Sequence, residues 1–243
     1  YFKPMCLVTG ANRGIGLELV RQLVGKPNPP EWLFATCRDP VGMQAQVRSS
    51  FCLLTKDPNS IQAAAKETAT RLGGSGLNLL INNAGVMPES TLESVTPEDM
   101  LDVYKINVVG PMLMTQAFLP LLKKAAQRSP QTGLSCSKAA IINVSTIGGS
   151  IGNAPSMATF SVISYRCSKI ALNMLTRCQS LEYKKDGILC TALHPGWVKT
   201  ELGTEKAELT VDESVRGILK VLSSLSEEHH GIVVDWKGRT VPW

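Results

Sequence analysis

The stretch Met5-Cys6-Leu7-Val8-Thr9-Gly10-Ala11-Asn12-Arg13-Gly14-Ile15-Gly16-Leu17 reads as an apolar strand, a glycine-rich turn and the start of a helix. Residues 5–9 form a continuous strand-type run, and Ile15, Leu17, Leu19, Val20 and Leu23 then recur at helical spacing. Glycines at 10, 14 and 16 let the backbone turn sharply and approach a pyrophosphate, whose charge is stabilised by the helix N-terminus. Gly10, Asn12, Arg13, Gly14, Ile15 and Gly16 are therefore candidate dinucleotide-binding residues. The spacing Gly-x-x-x-Gly-x-Gly differs from the commoner Gly-x-Gly-x-x-Gly fingerprint and points to a narrower group.

Outward from this turn, short apolar runs stand at 33–37, 77–82, 139–145 and 188–193, with a weaker one at 51–54, and helical periodicity comes after each. Strands buried on both faces read as continuous apolar runs, and their alternation with helices is the pattern of a parallel sheet covered on two sides. The expected fold is a single α/β doubly wound Rossmann domain over residues 1–243, with a mostly parallel seven-stranded sheet and helices on both faces. Thr96-Pro97-Glu98-Asp99 supplies a cap, a first-turn proline and acids, and Thr210-Val211-Asp212-Glu213 a capping box. Helices are predicted at 98–108, 111–127 and 165–184, whereas 41–53 carries no convincing helix pattern. Two long loops, 128–137 and 148–164, are rich in Gly, Ser, Pro or Thr, and the second, with 197–210, is expected to bind substrate.

Composition narrows the function. The 243 residues are 44% hydrophobic and 19% charged, which fits one globular domain and excludes disordered, collagenous and coiled-coil classes. Mean hydropathy is +0.04, yet apolar runs are too short for a membrane span. The net charge of +5 is scattered, favouring a small anionic ligand over a nucleic-acid surface. Seven cysteines without a Cys-x-x-Cys pair suggest neither a disulfide framework nor a metal site, so a reducing, cytoplasmic setting is expected. Residues 1–4 show no signal-peptide pattern.

The second strand ends Ala35-Thr36-Cys37-Arg38. An acid there would bind a free ribose 2′-hydroxyl; Arg38, with Arg13, instead offers bidentate donors to a 2′-phosphate, which favours NADPH. The alternative is a pair of solvated arginines, with Asp39 capping Arg38. Tyr165-Arg166-Cys167-Ser168-Lys169 places a phenol and an ammonium on one helix face. The ammonium favours the phenolate, so Tyr165 can act as a general acid, protonating an alkoxide as hydride arrives. The spacing alone is common, and its company gives it meaning. Asn82-Asn83-Ala84-Gly85, Asn107, Ser145-Thr146 and His194-Pro195-Gly196-Trp197-Val198-Lys199-Thr200 fall at the carboxyl ends of strands or on the helices beyond, where such sheets bind ligands.

On these stretches, with Leu119-Pro120-Leu121-Leu122-Lys123-Lys124-Ala125-Ala126 and Ile141-Ile142-Asn143-Val144, the chain resembles the short-chain dehydrogenases/reductases over residues 5–243. Among them it is most similar to the Sniffer and C-factor-like carbonyl reductases. The resemblance implies Tyr165 as proton donor, and Lys169 binding the nicotinamide ribose while lowering the phenol's pKa. Asn107 would hold a relay water. Gly10, Asn12, Arg13, Gly14, Ile15, Gly16, Arg38, Asn83, Ala84, Gly85, Pro195, Gly196, Val198 and Thr200 would contact NADP(H), with Tyr165 and Lys169.

The chain departs from the family at three places. Thr146 occupies the slot of the usual catalytic serine, with Ser145 in reserve; if the backbone stays extended, Ser145 faces the other way. Nineteen positions separate Thr146 from Tyr165, wide for the family, which implies an extra substrate loop with Met157 and Phe160 as apolar lining. Leu54 stands where relatives carry an acid for the adenine amine. Trp197 is a substrate-pocket candidate or a packing residue, and His194 is read as structural. The expected activity is NADPH-dependent reduction of apolar aldehydes, ketones or quinones. Alternatives are oxidation of a hydroxysteroid or similar secondary alcohol, and a catalytically weak NADP-binding regulatory protein. Relatives pair through the helices at 111–127 and 165–184, although carbonyl reductases include monomers; an apolar outer stripe there would favour a homodimer.

Overall fold

The computed structural model describes residues 4–37, 49–52, 57–157 and 161–243. Three residues assigned to the site from sequence, Arg38, Leu54 and Phe160, lie outside the described residues, as does the region 41–48. Strands β1 (Met5–Thr9), β2 (Trp32–Cys37), β3 (Ser49–Cys52), β4 (Leu79–Asn82), β5 (Ala140–Val144), β6 (Leu189–His194), β7 (Val233–Asp235) and β8 (Thr240–Val241) form one sheet in the order β3-β2-β1-β4-β5-β6-β7-β8. The strands from β1 to β7 run parallel, as the apolar runs imply. The two-residue β8 adds an antiparallel edge to β7. Strand order reverses between β1 and β4, which opens a crevice at the carboxyl ends of these strands.

Two apolar clusters sandwich the sheet. On one face, Val8, Ala35, Ile81 and Ile142 pack with Leu19, Val20 and Leu23 of α1 (Gly14–Val24) and Val215, Ile218 and Leu222 of α6 (Val211–Ser224). On the other, Leu7, Phe34, Leu80 and Ile141 meet α2 (Pro58–Arg71) through Ile61 and α4 (Gly110–Arg128) through Met114, Phe118 and Leu122. Alternate residues of each strand thus serve opposite faces. α5 (Ile163–Tyr183) lies along β6 and contacts α3 (Pro97–Tyr104).

Both predicted helix starts are capped. Thr96 and Asp99 exchange hydrogen bonds in a capping box with Pro97 in the first turn, and Thr210 and Glu213 do the same for α6. Between α3 and α4 the sequence pattern predicts a break near residue 109. The structure instead carries a π-helical turn, Lys105–Val109, that joins the two helices. A π turn inserts one residue into the helical ladder and so rotates the helix beyond it; Asn107, in its middle, is buried.

Candidate active site

The glycine turn forms one wall of a cleft of about 480 Å³ at the carboxyl end of the sheet. Gly10 adopts φ +64°, and a Cβ there would stand 2.9 Å from Ala84 Cα; a Cβ on Gly16 would stand 2.2 Å from the Gly10 carbonyl oxygen. No side chain fits at either position, so the turn can close tightly on itself and against Ala84. Helix α1 begins at Arg13 without a side-chain cap, which leaves its first amide groups to an anion. The floor is set by Asn83, whose amide donates to the carbonyls of Thr9 (2.9 Å) and Gly10 (3.2 Å). The Thr9 hydroxyl accepts in turn from the Asn83 and Ala84 amides, both at 3.0 Å. Asn83 thus shapes the turn from behind while its neighbours line the cleft. A pyrophosphate-bearing dinucleotide suits these residues: a tight glycine turn at a helix N-terminus with no side-chain cap.

Of the residues read from sequence, Gly10, Asn12, Arg13, Gly14, Ile15, Asn83, Ala84, Gly85, Tyr165, Lys169, Pro195 and Thr200 line this cleft, together with Ser145. Gly16, Asn107, Thr146, Gly196 and Val198 do not line it. They support it: Gly196 has φ +87° and packs on Leu209 and Trp236, and Val198 bridges to Leu209. Trp197 is also outside the lining; the residue is 38% exposed and its Nε1 donates to the Gly203 carbonyl at 2.7 Å, within its own loop. Met157 belongs to a 3-10 turn, Ala154–Met157, in the loop ahead of α5. Val86, Ile106, Val144, Lys199, Glu201, Leu202 and Val211 also line the cleft. The sequence signals only part of this: Lys199 sits in the motif after β6 and Glu201 directly follows it, whereas Val86 and Ile106 look like ordinary core residues.

Tyr165 and Lys169 lie on the inner face of α5. Lys169 is 4% exposed, and its Nζ donates to the Val144 carbonyl at 2.7 Å and stands 5.4 Å from the Tyr165 ring centre. Burial pushes the ammonium down to about 8. Burial also raises the Tyr165 phenol above its ordinary value, and a hydrogen bond with the Thr146 hydroxyl works the other way. Desolvation sets the direction, Thr146 rather than Lys169 supplies the opposing effect, and Tyr165 is a protonated phenol at neutral pH.

The hydroxyl pair separates cleanly. The backbone at Thr146 is extended (φ −157°, ψ 153°), so successive side chains point opposite ways. Thr146 meets the phenol and accepts from the Gly148 amide at 3.2 Å. Ser145 is 2% exposed, and its hydroxyl donates to Asn173 Oδ1 at 2.6 Å. Asn107 is fully engaged as a donor: its amide donates to the Val86 carbonyl and the Ser168 hydroxyl, each at 2.9 Å, while Oδ1 accepts from the Val86 amide. It ties the segment after β4 to α5 one residue before Lys169. His194, at the end of β6, is pushed down to about 4 by burial and is neutral.

At the cleft mouth the Arg13 guanidinium pairs with the Glu201 carboxylate, joining the glycine turn to the loop after β6. Sequence reasoning assigns Arg13 to a phosphate and does not anticipate this partner. The two groups are more than half exposed, where ion pairs are weak and exchange readily.

Comparison with known proteins matches this arrangement. The family model of short chain dehydrogenase matches residues 4–210. The NADPH-bound carbonyl reductase from chicken fatty liver is 51% identical, with a TM-score of 0.92 and full coverage of both chains. The carbonyl reductase Sniffer of D. melanogaster is 34% identical, with a TM-score of 0.93 and full coverage of both. The C-signal protein of Myxococcus xanthus is 35% identical over 176 residues, 72% of this chain and 98% of its own. Sequence and fold agree along the length of the chain: it is an oxidoreductase and belongs to the short-chain dehydrogenase family.

Proposed function

We propose that the chain is an NADPH-dependent carbonyl reductase acting on small apolar aldehydes, ketones or quinones. The observation that carries this reading is the placement of Tyr165, with the Lys169 ammonium 5.4 Å from its ring centre, on the wall of a cleft that the glycine turn also lines, with Thr146 beside the phenol just outside that lining. Structural relatives solved with NADPH or NADP support the choice of cofactor. Gly10, Asn12, Arg13, Gly14, Ile15, Asn83, Ala84, Gly85, Pro195 and Thr200 would hold it, supported by Gly16, Gly196 and Val198, and Arg38 with Arg13 would take its 2′-phosphate.

When bound, NADPH supplies the hydride. Tyr165 holds the proton that the carbonyl oxygen needs, because burial keeps the phenol protonated. The Thr146 hydroxyl, fixed by the Gly148 amide, orients the same oxygen. Lys169 keeps an ammonium beside the phenol and so stabilises the phenolate left behind. Asn107 has spent both N–H groups, so its backbone carbonyl or the second lone pair of Oδ1 would hold the relay water. The loops 148–164 and 197–210 would form the substrate site, with Met157, Phe160 and Trp197 as apolar contacts.

Buried free thiols at Cys6 and Cys190 suit a reducing compartment, and we place the protein in the cytoplasm. No helix among the described residues is long and apolar enough to cross a membrane. Exposed Met174 and Leu181 on α5 and Leu101 on α3 support a homodimer paired through this face; a monomer by light scattering at micromolar concentration would exclude it. The activity is tested by NADPH consumption with a reactive diketone, beside Tyr165→Phe and with NADH as control. Tyr165-dependent turnover that prefers NADPH supports the reading. Tight NADPH binding without turnover sinks it in favour of a binding protein, and turnover only of secondary alcohols in favour of a dehydrogenase.

A further inference from the structure

Tyr165, Lys169 and Asn173 recur at intervals of four along α5, which places all three on one helix face. Lys169 donates to the carbonyl of Val144, the last residue of β5. One turn further, Asn173 holds the next segment at two points. Its Oδ1 accepts from the Ser145 hydroxyl at 2.6 Å, and its Nδ2 donates to the Gly149 carbonyl at 3.0 Å. Thr146 lies between these anchors and meets the Tyr165 phenol. The turn is pressed onto the helix: a Cβ on Gly149 would stand 2.8 Å from Lys169. Asn173 is 1% exposed and does not line the cleft.

We propose that Asn173 is a positioning residue for carbonyl reduction, which acts by clamping the 145–149 turn to α5 and so fixing the Thr146 hydroxyl against Tyr165. The inference rests on the reductase reading above. The physical case is that Thr146 and Tyr165 come from different elements, and their separation is only as definite as the tie between those elements. Buried side-chain hydrogen bonds supply that definition, since their strength falls steeply with distance and angle. Ser145 thereby has a role of its own: it is the strand's half of the clamp.

The test is a double-mutant cycle in steady-state kinetics with NADPH and a reactive diketone. It uses the parent protein, Asn173→Ala, Thr146→Ala and the double variant, each checked for cooperative unfolding and for NADPH affinity by fluorescence. Asn173→Ala is expected to lower kcat about 10- to 100-fold, the scale of a misplaced reacting group, with NADPH affinity changed by less than about two-fold. In the Thr146→Ala background the same substitution is expected to lower kcat by less than about three-fold, because the group it positions is gone. Equal loss in both backgrounds, no loss in either, or a loss confined to KM for NADPH overturns the proposal. If Asn173→Ala does not fold, Ser145→Ala cuts the same clamp from the strand side and is read by the same criteria. A parent protein without turnover overturns the reductase reading and this inference together, whereas an active parent with additive variants overturns the inference alone.

Discussion

Helices α5 and α6 lie against opposite faces of the same sheet and are held there by different physics. α6 turns Val215, Ile218, Leu219, Val221 and Leu222 inward, toward α1 and the strands. Among the residues α5 buries, Leu172 is the apolar one; the others are Ser164, Ser168, Lys169, Asn173, Thr176, Gln179 and Ser180. Beneath it runs a polar chain in which Asn82 donates to Asn143, Asn143 to Thr176 and Gln179, and Gln179 to Thr115. Meanwhile Met174 and Leu181 of α5 face outward, 63% and 69% exposed. Apolar contact is non-directional and tolerates small shifts; a buried hydrogen-bond network specifies one arrangement. The helix that packs behind α1 needs burial, and the helix that carries Tyr165 needs a position.

The sharpest test of that division is Tyr165→Phe, which removes the proton donor while keeping the ring. Turnover should fall about 10²- to 10⁴-fold with NADPH affinity and melting temperature nearly unchanged; a smaller loss in initial rate would make the polar face of α5 structural only. Next, Leu19→Ala on the apolar side should cost about 2–5 kcal/mol in urea unfolding, while the protein that remains folded keeps its kcat. Asn143→Ala on the polar side orphans Asn82 Nδ2 and Gln179 Oε1, at about 1–3 kcal/mol for each unpaired group, and should lower kcat as well. If both variants changed only stability, the contrast between the helices would fail.

Lys169 gives a signature in pH. Its folded pKa is depressed to about 8 by burial, so between that value and the ordinary lysine range the folded state binds fewer protons than the unfolded state. Burial of the charged form therefore weakens the fold below about 8, and the penalty is relieved as pH rises above it. Denaturation monitored from pH 7 to 10 should show this relief in the parent and not in Lys169→Met. Carbonyl reduction should decline over the same interval as the ammonium beside the phenol is lost. The smallest effect belongs to the exposed pair at the cleft mouth: Glu201→Gln should shift stability by less than about 1 kcal/mol. The same change frees Arg13 and should tighten NADPH binding at low salt, as read by fluorescence titration.

The sequence reveals the apolar half of the molecule more readily than the polar half. Strands β1, β2, β4, β5 and β6 and helix α1 announce themselves as apolar runs and helical periodicity, β3 (Ser49–Cys52) is met only by the weaker run at 51–54, and Thr96 and Thr210 mark helix starts by local chemistry alone. β7 and β8, three and two residues long, offer too little sequence for a period to emerge. The π turn at Lys105–Val109 has no local code, since its composition fits an ordinary helix. The roles of Tyr165 and Thr146 are suggested by their order along the chain, because parallel strands deliver their carboxyl ends to one edge. Asn173 escapes sequence reasoning although it stands four residues beyond Lys169, because a mid-helix asparagine reads as a neutral surface residue until its partners are visible. The orientation of Trp197 is hidden for a related reason: hydrogen bonds between residues 197, 199 and 209 set the course of its loop, and the indole Nε1 donates to Gly203.

The polar underside of α5 also bears on the order of events in folding. Collapse is driven by the apolar clusters, which recruit α1, α2, α4 and α6 through contacts that are favourable as soon as water leaves them. The asparagine, glutamine and serine pairs beneath α5 strengthen only when donor and acceptor have come to their final distances in a dry setting. Substitutions there accordingly belong to the late side of the folding barrier: they hasten unfolding and leave the folding rate nearly untouched. The surface that carries the chemistry is thus expected to assemble last, which chevron analysis of Asn143→Ala checks: faster unfolding with an unchanged folding rate bears it out, and slower folding overturns it.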